Sequence, residues 1–182
     1  MNDALTVLKA GAAELGLGLS DSQFEQLLGY LALIQKWNKV YNLTAVRDPA
    51  EMLTHHLLDS LAVINPLRVQ LGSRQPESLE GATVDAAAQV LAGSAAKQAV
   101  KQAVKQGDTR LLDVGSGAGL PGVVIAVCCP ALRVDCVDTV GKKAAFIQQT
   151  ALALKLPGLR GVHARVEQLA GQYPLITSRA FA

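Results

Sequence analysis

Three glycines at alternate positions, Gly115, Gly117 and Gly119, follow an acid, Asp113, and run into Leu120, Pro121 and Gly122. Glycine lets a backbone turn through positive φ and approach a ligand with no Cβ in the way. Residues 111–114, apolar but for Asp113, read as a strand entering this loop. Residues 123–129, closed by Pro130, read as a buried helix leaving it. Strand, glycine turn and helix in that order build the ligand crevice at the carboxyl edge of a parallel sheet. A second acid, Asp138, ends the next strand-like run, 133–138. A carboxylate placed there accepts hydrogen bonds from both hydroxyls of a ribose.

Two ligand classes suit this pattern. A dinucleotide would set its pyrophosphate on the helix N-terminus. S-adenosyl-L-methionine carries a sulfonium and an amino-acid tail, and no phosphate. Asp113 is awkward beside a pyrophosphate, and Pro121 removes an N–H that an anion would use; both favour the cationic methyl donor. The motif alone keeps a nicotinamide-dependent oxidoreductase open as the alternative. Asp138→Ala is expected to weaken ligand binding by about 1–3 kcal/mol and to leave the melting point of the free protein almost unchanged.

The elements that must position these residues can be read on either side. Ser20 and Gln23 have capping-box spacing. Behind them Phe24, Leu27, Leu28, Leu31, Ile34 and Trp37 recur at steps of three and four, one stripe of a helix. Asp48, Pro49 and Glu51 signal a second helix start. Met52, Leu53, His56, Leu57, Ser60 and Leu61 then share a face, and Pro66 is expected to end that run. Residues 142–156 read as a helix with Ala145, Ile147, Leu152 and Leu156 among its apolar positions, and 159–164 and 174–178 as two more strands. Alternating strands and helices predict an α/β fold: a Rossmann-like parallel sheet covered on both faces, with a helical extension in front. The expected organisation is an N-terminal helical extension, 1–71, an Ala/Gln/Lys-rich insertion, 72–107, and the α/β domain, 108–182. In the insertion KQAV occurs at 97 and again at 101. That step lines Lys97, Lys101 and Lys105 along one side of a helix, read as a solvated face.

Other polar residues admit simple structural readings. His55 and His56 point different ways on a helix, so partner-bonded or surface roles are the default over a metal or base role. Asp59 reads as structural, bonding His56 or capping backbone. Trp37 and Tyr41, one turn apart, read as a packing pair. Lys142 and Lys143 open a helix and, with Arg47, form the candidate patch for RNA phosphates. Cys128, Cys129 and Cys136 lack metal-ligand spacing, so no metal is expected.

The motifs resemble a known family. WNKVYNLT at 37–44, RDP at 47–49, EML at 51–53, HLLDS at 56–60, DVGSGAGLPG at 113–122 and SRAFA at 178–182 are similar to ribosomal RNA small subunit methyltransferase G, also called glucose-inhibited division protein B. The resemblance implies a cytoplasmic enzyme that moves a methyl group from S-adenosyl-L-methionine to N7 of a guanine in 16S ribosomal RNA. The partner is that RNA or a small-subunit ribosomal particle. It implies that Gly115 and Leu120 in the loop, Val166 and Glu167 in RVEQ near the adenine, and Arg179 in SRAFA contact the cofactor, beside Gly117, Gly119 and Asp138. The family continues beyond its fourth strand, so the sheet is expected to be truncated there. A non-catalytic RNA-binding fragment is the corresponding alternative.

Bulk composition limits these readings without choosing among them. Half of the 182 residues are hydrophobic, ample for a core, and 17 basic against 15 acidic side chains leave a net charge of only +2. Nucleic-acid binding must therefore come from a local patch. No apolar run reaches membrane-spanning length, and no signal peptide is visible at the N-terminus.

Overall fold

The computed structural model describes residues 2–72 and 109–179. Most of the insertion expected at 72–107, with Lys97, Lys101 and Lys105, lies outside the described residues, as do the last three residues of SRAFA.

The N-terminal part is helical. Helix α1 covers Asn2–Glu14 and α2 covers Asp21–Tyr41. The capping box at the start of α2 is present: the Ser20 hydroxyl accepts the Gln23 N–H, and the Gln23 side chain accepts the Ser20 N–H. Asn42, in the left-handed region at φ 49°, ends the helix. Helix α3 (Pro49–Met52) starts on Asp48, whose carboxylate accepts the N–H groups of Ala50 and Glu51. It continues through a π-helical turn, Leu53–Leu58, into α4 (Asp59–Leu61). Met52, Leu53, His56, Leu57, Ser60 and Leu61 are all buried, as their shared face predicts. Pro66 does not end this segment. It sits in the first turn of α5 (Ile64–Leu71), where a helix needs no N–H from it.

The second part is the α/β unit. Strand β1 (Arg110–Val114) leads through the glycine loop to α6 (Gly122–Cys128), β2 (Arg133–Asp138), α7 (Gly141–Ala153) and β3 (Leu159–His163). A 3-10 turn, Val166–Gln168, precedes β4 (Leu175–Ser178). The four strands are all parallel, in the order β3-β2-β1-β4. The chain moves outward from β1 to β3 and then returns to the other side of β1. The strand order thus reverses between β1 and β4, the topological switch point at which such sheets hold ligands.

Side chains paired across parallel strands share a face. Asp113, Cys136 and Gly161 lie on the face that α6 and α7 cover. A Cβ on Gly122 would strike the Cys136 thiol, and one on Gly161 would strike the Ala144 carbonyl. Every residue of α6 is buried. In α7 the inward positions are Ala144, Phe146, Ile147, Thr150 and Ala151, whereas Ala145 and Leu152, although apolar, face solvent. Helix α2 packs over both, with Tyr30 stacked on Phe146 and Trp37 edge-on to it at 5.4 Å. The buried residues of the N-terminal helices and of the α/β unit form one continuous core.

Candidate functional site

The glycine loop is fixed from three directions. From β2, the Val137 carbonyl accepts the N–H groups of Gly115 and Ser116, at 3.0 and 3.2 Å. From below, the fully buried Tyr30 of α2 donates its hydroxyl to the Ala118 carbonyl at 2.7 Å. From the side, the Asp138 carboxylate accepts the Gly117 N–H at 3.0 Å and the Val140 N–H at 2.8 Å. Gly115, Gly117 and Gly119 hold φ of 67°, 57° and 95°, which only glycine adopts without strain. Their surroundings differ. A Cβ on Gly119 would run into Val123 beneath the loop, whereas one on Gly117 would meet nothing nearer than the Gly115 carbonyl at 4.0 Å. Gly119 serves close packing, and Gly117 leaves an open approach to the backbone.

The remaining site candidates gather along the same carboxyl edge, with different degrees of engagement. Asp138 ends β2, buried, with Lys143 of α7 at 3.6 Å from its Oδ2. Its main chain accepts the Ala164 N–H, which ties in the end of β3. Val166 and Glu167 occupy the turn after β3, half-buried and exposed respectively. Arg179 follows β4, whose Ser178 pairs with Val114 at the mouth of the loop. Its guanidinium donates to the Asp59 carboxylate at 2.7 Å and the His55 carbonyl at 2.8 Å. Leu120 differs from the others. Its side chain is part of the core, and its N–H is bonded to the Ser116 carbonyl.

Several expectations change in detail. Asp113 does not open onto the crevice. It is completely buried, and its Oδ2 accepts the Gly122 N–H at 2.9 Å, so it secures the start of α6 from below. Burial raises its carboxyl to about 7, against the Gly122 hydrogen bond, which lowers it. The expectation that Asp138→Ala spares the free protein is opposed by the geometry. Alanine would strip two backbone N–H groups of their acceptor, a cost independent of any ligand. Lys143 is committed to Asp138 and does not stand free beside Lys142. Asp59 bonds Arg179, not His56. His56 is buried, with its Nε2 2.9 Å from the Thr44 hydroxyl, and desolvation lowers its pKa. Trp37 and Tyr41 form the expected packing pair at 5.2 Å. Among the described residues no group of three or more His, Cys, Asp or Glu side chains is placed to hold a metal. No described helix is long and apolar enough to cross a membrane.

One residue, Tyr30, and one partnership, that of Asp59, escaped the sequence reading. Tyr30 lies three residues from Leu27 and four from Ile34, so the stripe itself contains it. Asp59 carries no signal of its link to Arg179, which lies far along the chain.

This arrangement can be set beside known proteins. A family model described as rRNA small subunit methyltransferase G matches residues 23–70 and 96–182. The chain is 59% identical to the ribosomal RNA small subunit methyltransferase G of Paracidovorax citrulli (strain AAC00-1) over 181 residues, which is 99% of this chain and 65% of the relative. It is 56% identical to the protein of that name from Albidiferax ferrireducens over 182 residues, 100% of this chain and 71% of the relative. For Acidovorax sp. (strain JS42) the identity is 56% over 175 residues, 96% of this chain and 66% of the relative. The chain spans about two thirds of the length of these curated relatives.

Proposed function

The chain belongs to the ribosomal RNA small subunit methyltransferase G family, and from that premise we propose that it binds S-adenosyl-L-methionine at the glycine loop and methylates N7 of a guanine in 16S ribosomal RNA. The proposal includes a cytoplasmic location and, as substrate, the RNA or a small-subunit ribosomal particle. The observation that carries the cofactor assignment is the open backbone at Gly117 held directly against Asp138, beside the strand-order reversal.

The residues present fit that cofactor. The Gly117 direction admits a ligand atom where any side chain would stand. Asp138 engages one backbone N–H on each oxygen; Oδ1 keeps a further lone pair for a ribose hydroxyl, and Oδ2 can accept the second hydroxyl beside Lys143, which stands 3.6 Å away. Val166 and Glu167 flank the crevice on the β3 side, as an adenine would require, and Arg179 borders it on the β4 side. The bound cofactor supplies an electrophilic methyl group on a sulfonium. Guanine N7 offers a lone pair and no proton, so the chain needs no general base. Its task is orientation of two reactants and a fixed set of dipoles around them. The glycine loop suits that task because Tyr30, Val137 and Asp138 hold it from three sides. Leu120 enters this reading only through its backbone.

Calorimetric titration with S-adenosyl-L-methionine tests the site. Asparagine tolerates the left-handed backbone better than other substitutes, so Gly117→Asn fills the open direction at the smallest backbone cost a side chain can have there. Its cofactor affinity is expected to fall at least about tenfold, roughly 1.4 kcal/mol, with the free protein still folding cooperatively and its melting point only modestly lowered. Unchanged affinity would remove the loop as the site. Transfer of labelled methyl to 16S RNA, located at guanine N7, tests the reaction separately.

A further inference from the structure

The sequence directs attention to Arg47 with Lys142 and Lys143 as the basic patch, but the fold assembles a different one. A groove on the N-terminal helices is lined by Gln35, Lys36 and Lys39 of α2 on one side and by Arg47, Pro49 and Met52 on the other. Three of its lining residues are cationic and none is acidic. Among the described residues, Lys9, Lys143, Arg110, Arg160 and Arg179 each stand within ion-pair distance of a carboxylate. Lys36, Lys39 and Arg47 pair with none of the described carboxylates.

The two walls are held in register by a buried amide. Asn38, on the turn between Lys36 and Lys39, is almost completely buried. Its Oδ1 accepts the Thr44 N–H at 3.0 Å, and its Nδ2 donates to the Val46 carbonyl at 3.3 Å. The loop that carries Arg47 is thereby fixed against the helix that carries the lysines. Asp48, the nearest acid in sequence, is turned away onto the N–H groups of Ala50 and Glu51.

We infer that this groove is a docking track for the phosphodiester backbone of the RNA substrate, an inference that rests on the reading of the chain as an RNA methyltransferase. Repeated cations along a concavity match a chain of phosphates, whose binding releases counterions, better than a single small anion. Position in the fold supports it. Helix α2 supports the glycine loop through Tyr30, and Lys36 and Lys39 follow within about 14 Å along the helix axis at 1.5 Å per residue. The opposite wall runs on from Met52 to Asp59, which Arg179 clasps at the end of β4. RNA seated in the groove is thus held by a surface joined rigidly to both sides of the crevice.

The test measures binding of 16S RNA transcript to the whole chain across a salt series, for the unaltered protein and two variants. The first carries Lys36→Gln, Lys39→Gln and Arg47→Gln; the second carries Lys36→Arg and Lys39→Arg. For the first, RNA affinity is expected to fall at least about tenfold at 0.1 M salt. The slope of log affinity against log salt should flatten by about 2, since each phosphate contact contributes roughly 0.7–0.9. Cofactor affinity and melting point should not change, and the second variant should bind RNA as the unaltered chain does. RNA binding within twofold of normal with an unchanged slope would overturn the inference. So would equal loss in the charge-keeping variant, or competition by polyglutamate as effective as competition by RNA, which would point to an acidic protein partner. If the first variant is less stable, the three single substitutions decide by the same readout. Loss of RNA binding in a system where no form transfers methyl would keep the groove and defeat the proposed reaction. Unaltered RNA binding with normal transfer would do the reverse.

Discussion

Asp113 and Asp135 occupy adjacent strands at the centre of the sheet, both nearly inaccessible, and are treated in opposite ways. Asp113 faces the helices, with a single backbone N–H and a distant thiol, Cys136 Sγ at 3.9 Å. Asp135 faces the other side, where Arg110 donates at 2.7 Å, Arg160 at 2.9 and 2.8 Å, and the Tyr173 hydroxyl at 2.8 Å. Arg110 also lies 4.5 Å over the Tyr173 ring. Burial raises both carboxyl pKa values. For Asp135 the hydrogen bonds from Arg160, Arg110 and Tyr173 outweigh it, and the carboxyl stays below its ordinary value. For Asp113 they do not, and it reaches about 7. The face with the helices is organised by close packing, and the face with the arginines by charge.

The largest effect should come from breaking the packed face. Gly161→Ala places a methyl group against the Ala144 carbonyl of α7, and neither backbone can yield without parting β3 from the helix. We expect a loss of about 3 kcal/mol or more by urea denaturation. Ile176→Thr, on the exposed side of β4, should stay within about 0.5 kcal/mol. Near-equal costs would mean that packing does not distinguish the two faces.

Next in size is Asp135→Ala. It leaves Arg110 and Arg160 facing one another without their anion, and about 2–3 kcal/mol should be lost at neutral pH, discounted for the partial exposure of both arginines. Because the folded pKa is depressed, the contribution of Asp135 is present above its ordinary value of 3.8 and disappears as the pH falls through the folded value. The penalty of the variant should therefore shrink in acid. A penalty independent of pH would show that volume, not charge, is what the web supplies.

Smaller than either loss, and of opposite sign, is the effect expected at Asp113. Asp113 has a folded pKa above its unfolded one, so ionisation of the unfolded chain costs stability as the pH rises from 3.8 to about 7. Asp113→Asn keeps an acceptor for Gly122 and removes this dependence. We expect it to match or exceed the parent by about 1–2 kcal/mol at pH 8, with the advantage vanishing near pH 4. A variant that is less stable at pH 8 and regains ground in acid would mean that Asp113 is ionised in the fold.

Local signals were read correctly where a single turn of chain contains its own physics. Ser20 with Gln23, Asp48 with Pro49, and β2 at 133–138 all stand where their residue types put them. Helix α7 shows the limit: Ala145 and Leu152 are apolar but turn outward, because the partner surface, not the helix, decides which stripe is buried. Pro66 shows another, since its effect depends on whether a new helix starts two residues before it.

The sequence by itself determined the glycine loop, the acid at the end of β2, the parallel α/β pattern and the family, because each depends on residues close together or on motifs in order. Only the tertiary structure decided which charges remain available. It turned Asp113 under the loop, paired Lys143 with Asp138 and Asp59 with Arg179, and set Arg47 opposite Lys36 and Lys39. Charges act through distance in space, at a few ångströms and in reduced dielectric. The folding of helices against a sheet sets those distances between residues that the chain keeps far apart.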